Sequence, residues 1–349
     1  MSKPATAEKR KNLQVVSDFL QRVGASNSPI PSLEEDNFRM REGFQHFAVE
    51  PVEESGPGRS FATVEKEPPE RADFFASSLQ RTQLVGHRIF EGQEVPLHYV
   101  IVSSIILRRD NRVFHAWTHA EKREYILAPL KFLPDADKLK EEFSGDLPVT
   151  LEDSGGDELN YTQLRIAAVN RARELKWETR NILLSRWKEQ EGTDSSKLIV
   201  LNDSLLHLHN SDLTANMLGF VKMTYVPFAN REKLGNHLVL PEFNRGQVFR
   251  IVDPDHPDNT KYSWFLKMRH IGKAEPEYGL VRLETVAKDD EDARRKADDF
   301  TYLMVRERFP VTFPAPQWDK LIFPHKLCDQ YLNSLVPSHE TIQAYFIRE

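Results

Sequence analysis

Residues 197–208 read Lys-Leu-Ile-Val-Leu-Asn-Asp-Ser-Leu-Leu-His-Leu, and the short run 197–201, apolar from Leu198 on, decides the fold. Five residues are too few for a helix, and a run without polar alternation fits a strand buried on both faces, as in parallel sheets. The helix signal lies just upstream. Between Tyr161 and Trp187, the residues Leu164, Ala168, Ala172, Leu175, Thr179, Ile182, Leu183 and Trp187 recur on one face, the spacing of a long amphipathic helix. Glu191-Gly192 ends it.

Upstream of that helix the texture is β. Residues 73–85, 98–108 and 112–117 are rich in strand-forming side chains, and turn-prone pairs stand at Glu91-Gly92 and Asp110-Asn111. Three such runs on short turns predict an antiparallel meander. Downstream, strands are predicted at 246–252, 262–269 and 279–287. A helix follows at 290–308, with Ala293, Ala297, Phe300, Thr301 and Met304 inward. A Pro-rich stretch (FPVTFPAPQW) leads to Leu321–Leu327, read as a loop around His325, and a last helix is expected near 338–346.

Residues 1–70 are less regular. A short helix is expected at 13–23, where Leu13, Val16, Phe19, Leu20 and Val23 share a face. The loop-forming segments NSPIPSLEED, EESGPGRS and EKEPPE follow. Two readings of this arm stand: an extension that docks on a partner, and a poorly ordered tail. The domain expected to carry the chemistry is 71–349. Three antiparallel strands, a helix, a parallel-type strand and further helices give the order of an α/β, RNase H-like mixed sheet flanked by helices. In that fold a carboxylate on the first strand lies beside one at the end of the fourth.

Composition narrows the classes. At 40% hydrophobic and 29% charged residues the chain reads as an ordinary globular protein. The net charge of −6 argues against coating nucleic acid by bulk positive charge, but leaves room for an enzyme whose carboxylates hold cations. The longest apolar run, Tyr99–Leu107, is half of what a membrane span needs. MSKPATAEKRKN carries no apolar stretch, so no secretory signal is expected. Cys328 is the only cysteine, which excludes an intramolecular disulfide and fits a reducing cytoplasm.

Several segments together resemble the NurA family of DNA-end nucleases. Phe74 to Thr82 (FFASSLQRT) resembles its first motif, an apolar strand followed by Asp-Gly and often Arg-Thr. Glu178 to Trp187 (ETRNILLSRW) is similar to its glutamate-bearing helix, and Leu198 to Leu205 (LIVLNDSL) to its second aspartate motif. Gly219 to Lys222 resembles the Gly-x-x-Lys that follows, Tyr278 to Glu284 the late Arg-x-Glu strand, and Pro324 to Leu327 the terminal histidine motif. The likeness runs over about residues 73–345. It implies a DNase dependent on Mn²⁺ or Mg²⁺, dimeric, working with a HerA-type hexameric ATPase on DNA ends in repair or antiphage defence.

Two departures bear on the chemistry. Ser77 stands where the family has its first aspartate, with Ser78 for the glycine, and Asn202 where it has the second, followed by Asp203. Two-metal hydrolysis needs anionic oxygens to hold hard cations, and serine and asparagine offer neutral ones. The resemblance retains Glu178 and His325, and Tyr262 is the choice for the family's tyrosine. The metal set to test is Ser77, Glu178, Asn202 and Asp203. Asp203 is the better replacement carboxylate, because Asp73 lies roughly 13 Å from Ser77 along the strand. Arg81, Lys222 and Arg282 are candidate DNA contacts. His207 and His209 lack the further ligands that zinc requires. No Gly-x-Ser-x-Gly elbow surrounds Ser77-Ser78, and no Walker-type loop is present. Three functions therefore stand: a NurA-like partner of a DNA motor with weak or lost cleavage, an active nuclease using Glu178, Asp203 and His325, and an unrelated α/β binding protein.

Overall fold

The computed structural model describes residues 3–27, 47–53, 59–60, 72–143, 147–208, 210–222, 237–252, 260–269, 277–308 and 320–347. In chain order the elements begin with α1 (Lys3–Arg22), β1 (Ser26–Asn27), β2 (Ala48–Pro51) and β3 (Arg59–Ser60). The two longest strands follow, β4 (Ala72–Phe90) and β5 (Gln93–Asp110), then β6 (Val113–Ala116), β7 (Glu121–Ala128), α2 (Ala136–Glu142) and β8 (Thr150–Asp153). Next come α3 (Tyr161–Gln190), β9 (Leu198–Leu201), β10 (Met217–Val221), β11 (Asn244–Arg245) and β12 (Phe249–Val252). The chain closes with β13 (Lys261–Lys267), β14 (Leu280–Thr285), α4 (Asp290–Glu307), α5 (Phe323–Leu335) and α6 (His339–Ile347).

The strands form one mixed sheet in the order β2-β12-β13-β14-β10-β9-β4-β5-β7-β8. β4, β5 and β7 are antiparallel neighbours, joined first by a turn in which Glu91 and Gly92 both have positive φ. That geometry matches the twist of a two-residue hairpin. β9 joins β4 in parallel, and β10 joins β9 in parallel. β14, β13, β12 and β2 then extend the sheet with antiparallel pairings.

Alternation along β4 sends neighbouring side chains to opposite layers. Phe74 and Ala76 pack with Leu183, Leu184 and Trp187 of α3, whereas Phe75 packs with residues of α4 and Cys328 and Leu332 of α5. Farther along α3, Ala168, Ala172 and Leu175 lie on Val100, Val102, Tyr125 and Leu127. Small residues at one turn's spacing let this helix lie close to the sheet.

Three sequence expectations change. The third strand of the meander is β7, not 112–117. β6 makes only a short hairpin with the end of β5 and is mostly exposed, whereas the Tyr125–Ala128 half of β7 is buried. The segment around His325 is the first turn of α5, not a loop. Pro324 occupies the start of the helix, where its missing N–H costs nothing. In the region expected as an arm, α1 is a full 20-residue helix, and its Val16, Phe19 and Leu20 pack with Val85, Leu97, Ile342 and Phe346. β2 and β3 pair with β12 and β11. The Pro-rich stretch at 309–318 lies outside the described residues. Among the described residues no helix is long and apolar enough to cross a membrane.

Candidate functional site

The parallel register of β4 and β9 sets Ala76 opposite Leu201. The next residue on each strand therefore meets its counterpart, and the backbone N–H of Asn202 donates to Ala76 O at 2.8 Å. Asn202 Nδ2 donates to Ser77 Oγ at 2.9 Å, and the Ser77 hydroxyl donates to Asp329 Oδ1 at 2.7 Å. Asn202 Nδ2 also approaches that carboxylate oxygen at 3.4 Å. Lys222, immediately after β10, sets its ammonium 3.8 Å from Asp329 Oδ2. Burial lowers the pKa of Lys222, and the Asp329 charge opposes that shift.

Asp329 was not among the residues singled out from the sequence. It lies four residues after His325 on α5, so one helix carries both, but they face different surroundings. His325 is fully buried, with its ring edge-on to Phe75 and Phe220 at centroid distances of 6.2 and 5.5 Å. Its Nε2 lies 3.3 Å from Val200 O. A carbonyl only accepts, so that nitrogen carries the proton. Nδ1 has no hydrogen-bond partner among the described residues. Burial, reinforced by Lys222 and opposed by the Val200 bond, brings the pKa down to about 3. The ring is therefore neutral at pH 7. Cys328 beside it is buried too, and burial followed by the Asp329 charge raises its thiol well above the ordinary range. A thiol so placed is inert.

Asp203 points the other way, into a network that straps the segment after β9 to its neighbours. Arg180 Nη1 lies 3.1 Å and Lys176 Nζ 3.6 Å from Asp203 Oδ2, and Ser204 N–H donates to its Oδ1 at 2.8 Å. Burial raises this carboxyl, but Lys176, Arg180 and His207 outweigh it and hold the pKa at about 2. His207 stacks on Trp177 with centroids 3.9 Å apart. Burial, against the attraction of Asp203, lowers its pKa to about 4. Beneath the segment sits the fully buried Glu284. It accepts from Ser204 Oγ at 2.8 Å and Leu205 N–H at 2.6 Å, and pairs with Arg282 Nη2 at 2.7 Å. Gly219 is small for this reason. A Cβ there would come within 2.9 Å of Leu205 Cγ and 3.2 Å of both Asp203 O and Glu284 Cβ.

The remaining candidates are engaged elsewhere. Glu178 is 55% exposed and pairs with Arg171 at 3.0 Å. Tyr262 donates to Asp290 Oδ1 at 3.0 Å, and Asp290 also holds Arg250 at 2.8 Å. Arg81, four residues beyond Ser77, donates to Asn333 Oδ1 at 2.7 Å. The structure thus brings Ser77, Asn202 and Lys222 together around Asp329. It turns Asp203 toward α3 and leaves Glu178, Tyr262 and Arg282 in separate pairings.

These residues do not fit a divalent metal centre. Among the described residues no group of three or more His, Cys, Asp or Glu converges where an ion could be held. At the Ser77–Asn202 junction the anionic donor among the described residues is Asp329, and a lysine already faces it. Mn²⁺ and Mg²⁺ need several hard, mostly anionic oxygens to offset their loss of water.

No family model matches the sequence, and no curated protein matches it. Among solved structures the chain is similar to the crystal structure of the NurA nuclease from Sulfolobus solfataricus, at 9% identity and a TM-score of 0.42, over 79% of this chain and 82% of that one. A likeness at that level carries no argument about function.

Proposed function

We propose that this chain is a NurA-like protein of DNA-end processing, with an RNase H-like sheet and with its own nuclease activity weak or lost. The observation that carries the reading is the direct hydrogen bond between Ser77 and Asn202 at the junction of β4 and β9. The strand order β7-β5-β4-β9-β10, antiparallel in the meander and parallel from β4 onward, supports the RNase H-like assignment. In such a sheet this junction is where two carboxylates would share metal ions. Here a hydroxyl and an amide meet instead and bond to each other.

What these side chains do is hold the strands together and close the site. The Ser77 hydroxyl is committed to Asp329, the Asn202 amide to Ser77, and the buried His325 ring to Val200 O. None of them is placed to activate water. The active-nuclease reading through Glu178, Asp203 and His325, with Mn²⁺ or Mg²⁺ as cofactor, would require Asp203 to leave Arg180 and Glu178 to leave Arg171. We further propose that the protein acts as a homodimer in the cytoplasm beside a HerA-type hexameric ATPase. With a net charge of −6, the motor would supply much of the DNA affinity. Arg81 and Lys222 are the cations we propose to meet a phosphate near the junction.

Fluorescence anisotropy on end-labelled duplex DNA, with the ATPase and in either EDTA or Mn²⁺, tests this reading. Equal binding in the two buffers is the expected result. Binding that requires Mn²⁺, or no binding with or without the motor, would remove it.

A further inference from the structure

The Ser77–Asn202–Asp329 junction raises a charge question that the reading above leaves open. Asp329 is about one-third exposed, and its carboxylate receives the Ser77 hydroxyl, the Asn202 amide and the Lys222 ammonium. The first two are neutral donors, so the lysine supplies the positive charge at this spot. β10 lies beside β9 in parallel register with Gly219 opposite Leu201, so Lys222, three residues past Gly219, stands at the same end of the sheet as Asn202, and its long side chain places the ammonium by Asp329. Lys222 is itself only 30% exposed, and its three donors can bridge groups much as a small cation does.

We propose that Lys222 is a built-in cation that takes the place of a divalent ion at the Ser77–Asn202–Asp329 junction. The site is thereby neutralised without metal and closed to it. This deepens the non-catalytic reading. It adds that the degenerate junction is a self-contained electrostatic unit with three parts: a neutral amide in place of one carboxylate, a lysine in place of the ion, and Asp329 from α5 as the remaining anion.

Asn202→Asp is the informative change, because it is isosteric. It sets a second carboxylate within a few ångströms of Asp329, next to the Ser77 oxygen. With Lys222 present, the ammonium already stands beside Asp329 and the group carries a net charge of only about −1. With Lys222→Gln in addition, the pair lacks a cation and becomes a site for a hard divalent ion. The experiment compares Asn202→Asp, Asn202→Asp/Lys222→Gln and Asn202→Asp/Lys222→Arg in the full chain. Thermal unfolding is followed with EDTA and with Mn²⁺ in excess over the protein. Loss of the free-Mn²⁺ signal in electron paramagnetic resonance gives the occupancy. The expected result is that Mn²⁺ raises the Tm of the Gln double variant by a few degrees and leaves the other two unchanged.

Three outcomes would overturn the proposal. In the first, Asn202→Asp alone takes up Mn²⁺ as tightly as the Gln double variant. In the second, the Arg double variant behaves like the Gln one, so that the positive charge is not the agent. In the third, the Gln double variant is indifferent to Mn²⁺ or stays unfolded in its presence. None of these readouts involves DNA, so failure here leaves the DNA-binding test of the proposed function standing, and the reverse also holds.

Discussion

Replacing Glu284 with alanine is expected to destabilise the fold by about 3–5 kcal/mol, the usual cost of removing one partner from a buried ion pair. Glu284 is fully buried and binds three groups at once, the Arg282 guanidinium, the Ser204 hydroxyl and the Leu205 N–H. Without it Arg282 loses the carboxylate at 2.7 Å, and a buried backbone donor loses its acceptor. The damage should concentrate in residues 202–208, because that segment is strapped down here. Urea unfolding measures the total. Hydrogen exchange at Leu205, slow in the native chain and fast in the variant, locates it. Replacing Arg282 and Glu284 together with methionine should restore part of the loss, since an apolar pair leaves no lone charge behind. A loss below about 1 kcal/mol for Glu284→Ala would mean that water reaches this network.

Acid should act on the segment after β9 and on the buried face of α5. His207 and His325 have pKa values near 4 and 3 in the fold, against about 6.5 in an unfolded chain. Between those limits the unfolded chain binds protons that the native one does not, so falling pH favours unfolding. The stabilisation is complete above pH 7 and declines as pH drops through 6.5. It continues to decline until each ring takes up its proton in the fold. From pH 7 to pH 4 the expected loss is roughly 3 kcal/mol for each histidine. Asp203 adds to this at still lower pH. Its pKa of about 2 in the fold lies below the ordinary value of 3.8, so its contribution is present above pH 4 and is lost as pH falls through 2. Urea midpoints at pH 7, 5.5 and 4 give the slope, and His325→Leu should flatten it by about half. A midpoint constant from pH 7 to 4.5 would contradict the burial of both rings.

Much of the sheet was legible because its signals are local. The helical period at 161–187, the apolar run at 198–201 and the turn at Glu91-Gly92 each identify an element without reference to the rest of the chain. Ser77 and Asn202 were singled out through the family resemblance rather than by those local signals, and the β4–β9 register places them side by side. The failures involve information held elsewhere in the sequence. β6 and β7 both carry strand-forming residues, and only pairing along His98–Ser104 makes β7 the third strand. Pro324 reads as a loop signal, yet proline at the start of a helix is favoured. The apolar spacing of His325, Cys328 and Leu332 behind it was the available clue. Once α5 is a helix, Asp329 follows one turn after His325, and the remaining anion of the site comes into view. Asp203 was the better candidate for a replacement carboxylate at the junction. Its direction is set by Arg180 and Lys176, more than 20 residues upstream on α3, which no local pattern reveals.

The most direct test of the central claim is cleavage itself. The purified chain would be incubated with end-labelled single- and double-stranded DNA and Mn²⁺, alone and with the proposed hexameric motor, beside a Glu178→Ala control for contaminating nuclease. The account predicts no cleavage above the Glu178→Ala control in any condition. Cleavage that disappears in Glu178→Ala would contradict it, and would mean that Glu178 and Asp203 leave their present partners to build a metal site when DNA binds.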